Sequence, residues 1–342
     1  MNTPRLSICI ATRNRGMYLG ETLDTIISQM SDDVELVIVD GASTDNTKSV
    51  VETYQHKCAN LHYHRLEKNG GVDEDYSETV TLAQGEYCWL MTDDDLLKPG
   101  AVAAVLDAIE KRYVLIIVNA EVRSPDFSIV LEPTRLQLTQ DKSYSPTELE
   151  DVFTDAALYM SFIGCVVIKR DLWMQREKEK YFGSCFIHMG VIFQTPLPGS
   201  VLAIAHPWIV IRYGNAMWTS RAMEIWMIRW RHLIWSLPLS KEARQKIAPI
   251  SALRDIKELL LYRANGVYTS QYYRQLIENQ DDQGVGFKIA AKTITYLPVY
   301  PLNLFTTLIY RALKNGKREM LLVDLANARK NLRSSEHKPY FR

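Results

Sequence analysis

Cysteine is scarce in this chain and never paired by spacing. Cys9, Cys58, Cys88, Cys165 and Cys185 are odd in number, scattered over 342 residues, and include no CxxC. That argues against a disulfide frame or a thiolate zinc site and for reduced, mostly buried thiols in a cytosolic protein. Long apolar runs are missing as well. None reaches bilayer-spanning length, and the seven-residue strand-like run after Met1-Asn2-Thr3-Pro4-Arg5 is too short for the core of a signal peptide. The expectation is a cytoplasmic protein, neither secreted nor integral to a membrane. The glycines form neither GxGxxG nor a Walker loop, so no dinucleotide or P-loop fingerprint is present. Internal repeats and low-complexity segments are absent. Net charge is absent too, with 40 Lys/Arg against 40 Asp/Glu, and no nucleic-acid partner is expected. The cancellation is uneven: residues 1–100 hold 17 Asp/Glu against 8 Lys/Arg, and the remainder carries the matching cationic excess. The acidic part suits a metal and the basic part suits anions or a membrane surface.

What is present reads as a globular protein of one large or two ordinary domains, with 47% hydrophobic and 23% charged residues. Buried strands are expected at Leu6–Ala11, Val34–Val39, Tyr87–Thr92 and Tyr113–Val118, with helices over 17–30, 45–57, 74–84 and 99–111. This alternation predicts an α/β fold with right-handed crossovers and a mostly parallel sheet, whose ligands bind at the carboxyl ends of the strands. Further on, Ser145-Pro146-Thr147-Glu148 reads as a helix start capped by Ser145, and Phe162–Ile168 as another strand. From about residue 219 the chain reads as helical.

The chemistry gathers at the predicted strand ends. Asp93-Asp94-Asp95 close the Tyr87–Thr92 run, where crowded like charges store repulsion that a hard divalent cation would relieve; a solvated acidic loop is the plainer reading. Asp40 ends Val37-Ile38-Val39 just before Gly41, placed to accept from a nucleobase NH or a ribose hydroxyl, or to serve as an ordinary turn aspartate. Ser43 or Thr44 is expected to cap the following helix, with Asp45 in its first turn. Asp73, Glu74 and Asp75 follow Gly70-Gly71, where they either complement a helix macrodipole or meet a ligand.

Thr12-Arg13-Asn14-Arg15, the run Val37 to Asp45, and Gly85 through Asp93-Asp94-Asp95 to Lys98-Pro99-Gly100 resemble family 2 glycosyltransferases over about residues 5–120. Gly70 to Tyr76 together with Tyr87 to Asp95 is most similar to bacterial O-antigen enzymes of the abequosyltransferase kind. The resemblance implies a GT-A fold holding a CDP- or UDP-linked sugar on Mn²⁺ or Mg²⁺ through a DxD motif. It implies donor contacts from Thr12, Arg13, Asn14, Arg15, Asp40, Asp73, Asp75 and Asp93. Aligned by the Leu96-Leu97-Lys98-Pro99-Gly100 tail, Thr92 falls on the first aspartate of the family pattern and Asp94 on the second. Asp94 is then the metal ligand, with Asp93 beside the metal or ribose and Asp95 assisting the metal and catalysis; an Asp93/Asp95 pair is the other register.

Inverting members carry an acid about 100 residues later, a neighbourhood taken here by His188, which could act as base, ligate the metal, contact phosphate, or pack in the core. A retaining enzyme would need no base. His206 to Asn215 resembles the strand that closes the donor site, with Arg212 set to fork onto diphosphate or to lie solvated, while Trp173 and Tyr181 would line the acceptor side. The implied organisation is a catalytic domain over 1–215, split into a donor half 1–120 and an acceptor half 121–215, then a helical region 216–342.

That last region mixes Trp218, Trp226, Trp230 and Trp235 with Arg221, Arg229, Arg231 and His232, and residues from 300 onward hold nine Lys/Arg against three Asp/Glu. Either these aromatics pack inward or the helices meet headgroups of the inner membrane. The reading is a hexosyl- or deoxyhexosyl-type transferase acting on a surface-glycan acceptor carried on a polyprenyl diphosphate. Its rivals are a nucleotidyltransferase, for which Thr12-Arg13-Asn14-Arg15-Gly16 is a poor phosphate loop, and a nucleotide-sugar scaffold without turnover.

Overall fold

The computed structural model describes residues 3–215, 221–249, 255–280, 283–312 and 318–333. The chain divides into two compact units, the first made of 1–123, 133–212 and 233–247, the second of 124–132, 213–232 and 248–342.

The first unit is an α/β sheet flanked by helices. Its strands are β1 (Leu6–Thr12), β2 (Val34–Asp40), β3 (Leu61–Arg65), β4 (Tyr87–Met91), β5 (Leu96–Leu97) and β6 (Leu115–Arg123). After β7 (Val130–Glu132), which belongs to the second unit, come β8 (Lys142–Tyr144), β9 (Val166–Lys169) and β10 (Val201–Arg212). The sheet order is β3-β2-β1-β4-β9-β6-β10-β5, with β8 beside β10. Every residue of β2 and β4 is buried, as continuous apolar strands covered on both faces require. Parallel pairing sets Thr12 opposite Asp40 and Ile10 opposite Met91, so the carboxyl ends of β1, β2 and β4 lie side by side.

The helices of this unit are α1 (Gly16–Ile27), α2 (Thr47–Gln55), α3 (Val72–Leu82), α4 (Ala101–Glu110), α5 (Leu149–Met160), α6 (Arg170–Gln175) and α7 (Ile187–Phe193). They are followed by α8 (Arg231–Ser236), which straddles the unit boundary, and α9 (Lys241–Ile247). All five cysteines are free, and Cys9, Cys88 and Cys165 are buried.

β9 inserts between β4 and β6, antiparallel to both. Three local expectations need correction. Only Val166–Lys169 of the run predicted at 162–168 is strand, since Ile163–Cys165 winds into a 3₁₀ turn. Ser43 does not cap α2, which starts at Thr47 behind Asn46; the Ser43 hydroxyl is used by the Asn14 amide at 2.8 Å. Ser145 does not cap α5, which starts at Leu149; Glu148 instead accepts from the Ser145 amide at 2.7 Å.

β10 carries the chain back to the site. Its pairing with β6 is irregular between Ile204 and Ile209, a stretch containing Pro207, which has no amide to donate. Beyond it, Ile209 pairs with Leu97 of β5, returning Arg212 to the loop that follows β4.

The second unit is helical, with α10 (Ile256–Ala264), α11 (Ser270–Tyr273), α12 (Val285–Ile294), α13 (Val299–Ala312) and α14 (Arg318–Arg333). Met223, Leu259, Tyr268, Ile277, Ala291 and Ile294 form its core. Trp230 is buried and meets Trp226 edge-on at 5.7 Å, so these two aromatics pack inward, whereas Trp218 lies outside the described residues. Trp235, in the first unit, lies half-buried under the Arg244 guanidinium at 5.1 Å. Among the described residues no helix is long and apolar enough to cross a membrane.

Candidate functional site

The loops after β1 and β2 are zipped together before any charged side chain is placed. Asn14 adopts a left-handed φ of 55° and accepts from the Thr44 amide at 2.7 Å while its own amide donates to the Ser43 hydroxyl. The amides of Arg15 and Gly16 donate to the Thr47 hydroxyl (3.0 Å) and the Asp45 carboxylate (3.1 Å). A side chain at Gly16 would stand 2.8 Å from the Thr47 backbone nitrogen, so only glycine lets the loops approach this closely.

This frame aims Arg15 at the acid triplet. Its guanidinium donates through Nε to Asp93 at 3.2 Å and through Nη2 to Asp94. Burial, then the charge of Asp94, pushes the Asp93 carboxyl up to about 7 against the opposing pull of Arg15 and the Thr12 hydroxyl. Asp95 turns inward, accepting from the Thr92 hydroxyl at 2.5 Å and the Arg212 amide at 2.7 Å; burial and then Asp94 raise its pKa well above the usual range. Arg212 also donates from Nε to the Asp94 carbonyl at 3.1 Å and reaches Glu21 through Nη2. Both guanidiniums lie over the Tyr18 ring, Arg15 at 4.5 Å and Arg212 at 5.1 Å from its centroid.

A neighbouring acidic group surrounds the end of β2. Asp40 is fully buried and accepts from the Ser43 amide at 2.7 Å and the Tyr63 hydroxyl at 2.6 Å, with Arg65 at 3.8 Å. Burial and then the Asp40 charge hold the Tyr63 phenol protonated well beyond its normal range. Asp75 backs the Asp40-Gly41 turn so closely that a Gly41 side chain would meet its Oδ2 at 2.5 Å. Burial, then Glu74, raises the Asp75 carboxyl to about 6, opposed by exposed Arg13.

Asp73 works elsewhere. It accepts the Cys185 and Ile187 amides at 2.8 and 3.0 Å, fixing the start of α7, and Cys185 takes a left-handed φ of 69° there. His188, one residue on, is 1% exposed, its Nε2 meets the Met160 carbonyl at 2.6 Å, and burial lowers its pKa to about 4. The ring is therefore neutral near pH 7. Trp173 is fully buried and Tyr181 lies against Gly190, where a side chain would meet its ring at 2.3 Å, so both expected acceptor-side aromatics sit in the core.

Direct contacts thus join Arg15, Asp93, Asp94, Asp95 and Arg212, with Thr12 beside them at the end of β1. Asn14, Asp40, Asp75 and Arg13 form the adjoining group, and Asp73 with His188 belongs to the α7 start. Tyr18, Glu21, Tyr63 and Arg65 were missed. Tyr18 alone left a signal, standing one turn after Arg15 at the start of an amphipathic helix.

Hard carboxylate oxygens crowded into mutual repulsion suit Mg²⁺ or Mn²⁺, which bind through one or two carboxylates and take the remaining oxygens from phosphate and water. No cluster of three or more His, Cys, Asp or Glu arranged for a metal occurs among the described residues.

Residues 7–173 match Glycosyl transferase family 2, and this segment of the chain is a domain of that family. The abequosyltransferase RfbV of Salmonella typhimurium is 27% identical over 225 residues, covering 61% of this chain and 67% of that protein. A GalNAc(5)-diNAcBac-PP-undecaprenol beta-1,3-glucosyltransferase of Campylobacter jejuni is 29% identical over 119 residues, 32% of this chain and 36% of its own length. The chain thus spans two thirds of the first relative and about a third of the second. In fold it is similar to S. aureus TarS 1–349 in complex with UDP, with a TM-score of 0.56 at 17% identity, covering 96% and 92% of the two chains. A mannosyltransferase of Pyrobaculum calidifontis in complex with GDP-Man and Mn2+ gives 0.52 at 18% identity, covering 98% and 89%. These likenesses identify the GT-A fold.

Proposed function

We propose that this protein moves a hexosyl or deoxyhexosyl group from a CDP- or UDP-linked donor to a hydroxyl of a bacterial surface glycan carried on a polyprenyl diphosphate. The observation that carries the reading is the Arg15–Asp93–Asp94–Asp95–Arg212 group beside Asp40 at the carboxyl ends of parallel strands, with every member but Arg212 inside the family-matched segment. The glucosyltransferase named above, whose name specifies a PP-undecaprenol-linked glycan, supports the acceptor class. Residues 1–120 bind the donor, 121–215 face the acceptor, and 216–342 serve a site of action at the cytoplasmic face of the inner membrane.

In this reading Asp40 and Asp75 hold the nucleoside with Thr12, Arg13 and Asn14, and Asp73 fixes the wall that carries His188. Asp94, with Asp93 and Asp95, would hold Mn²⁺ or Mg²⁺, which would supply Lewis-acid stabilisation of a leaving diphosphate. Arg15 and Arg212 supply further positive charge to the phosphate oxygens. Asp95 positions Arg212 through its backbone amide. If the reaction inverts, His188 is the base: donation from Nε2 to Met160 leaves the Nδ1 lone pair, which has no partner among the described residues.

The test is a panel of sugar nucleotides with the purified chain, Mn²⁺ and a polyprenyl-diphosphate-linked acceptor. Nucleoside diphosphate should appear only with acceptor present, and Asp94→Ala should abolish metal-dependent donor binding. Pyrophosphate release, or tight donor binding without turnover, would overturn the proposal.

A further inference from the structure

α13 is turned inside out. Its buried residues are polar: Asn303 donates to the carbonyls of Ala264 and Leu325 at 3.0 Å each, and the Thr307 hydroxyl donates to the Asn303 carbonyl at 2.8 Å. Its exposed residues are apolar, with Tyr300 36%, Leu304 41%, Phe305 62%, Leu308 64% and Ile309 42% accessible. Their spacing places them on one helical face. α12 buries Ala291 and Ile294 in the core yet also exposes Val285 at 74% and Ile289 at 62%, with Tyr296 at 71% just beyond it. From 285 to 312 there is no Asp or Glu, and the charged residues are Lys288, Lys292 and Arg311.

We propose that α12 and α13 seat the protein on an anionic lipid bilayer, their apolar residues entering the boundary between headgroups and acyl chains and their cations meeting phosphodiesters. Charge selects the occupant. A second copy of this acid-free surface would bring cations against cations, whereas anionic headgroups complement it. Length sets the posture: at about 1.5 Å per residue the 14 residues of α13 extend about 21 Å, short of the roughly 30 Å hydrocarbon core, so the helix lies along the interface. Biological use of this surface rests on the lipid-linked acceptor proposed above, but lipid binding itself needs neither donor nor acceptor.

The experiment is co-sedimentation of the full chain, without donor, with phosphatidylglycerol-containing or pure phosphatidylcholine vesicles. Binding should favour the anionic vesicles and weaken with salt. Phe305→Ser with Leu308→Ser should weaken partitioning about tenfold or more, and Lys292→Glu with Arg311→Glu should remove the preference for anionic lipid. Unchanged circular dichroism melting establishes that the variants fold, and unchanged transfer to a soluble acceptor analogue separates lipid binding from the sugar-transfer reading. Absence of wild-type binding to anionic vesicles would overturn the proposal. So would variants that bind like wild type, or variants that only convert a dimer to a monomer while vesicle binding persists.

Discussion

Arg15 is the cation the acid triplet already has. Its side chain is 7% exposed and those of Asp93 and Asp94 are 14% and 15%, so removing it strands two adjacent carboxylates in a poorly hydrated place. Arg15→Ala should cost about 2–4 kcal/mol in denaturant unfolding without metal, and Mn²⁺ should raise its melting temperature more than that of the wild type. Equal shifts would mean the ion does not use these carboxylates. Asp75 offers a pH test. Its carboxyl binds a proton more tightly folded, at about 6, than unfolded at about 4, so its stabilising contribution is complete below pH 4 and lost as pH rises through 6. Asp75→Asn should therefore unfold about 1–2 kcal/mol later than wild type at pH 7.5, with the difference vanishing toward pH 4. The acids could be located from sequence because each ends an apolar run. Their pairing with Arg15 and Arg212, named from sequence only as donor contacts, could not: these arginines and Tyr18 meet only after β10 returns to the β4 loop, and no local pattern records that closure.

The strands that position the site were readable where they are apolar on both faces, as in β1, β2 and β4. β3 was not, because Leu61-His62-Tyr63-His64-Arg65 is an edge strand with only Leu61 buried. The place of β9 between β4 and β6 was hidden too, since four residues carry no signal of which neighbours they pair with. At the opposite ends of the central strands, Glu35 accepts from the Ser7 hydroxyl at 2.5 Å and from the Gly85 amide at 3.2 Å, locking β1, β2 and the start of β4. A methyl at Gly85 would lie 2.7 Å from the Ser7 backbone nitrogen. Gly85→Ala should thus destabilise the chain by about 1–3 kcal/mol in urea unfolding, and an unchanged midpoint would show that β4 can shift without loss.

The first unit depends on a late segment of the chain. α9 follows Ser240, whose amide and hydroxyl donate to Glu150 of α5 at 2.5 and 2.8 Å, and Leu237, Leu239, Ala243 and Ile247 are buried. A fragment ending at residue 215 lacks all of this. It should bind a hydrophobic dye and melt at least about 5 °C below a fragment ending at 249; matching melting curves would show that α9 adds nothing. The alternation of 1–123, 133–212 and 233–247 with the second unit also bears on biosynthesis. The last strand, β10, ends at Arg212 and the last piece of the first unit at Ile247, a gap of 35 residues that takes about 2–7 s of elongation at ~5–20 residues per second. During that interval the nascent chain holds a finished sheet whose α5 surface still waits for its cover, a window in which a chaperone would find its binding site.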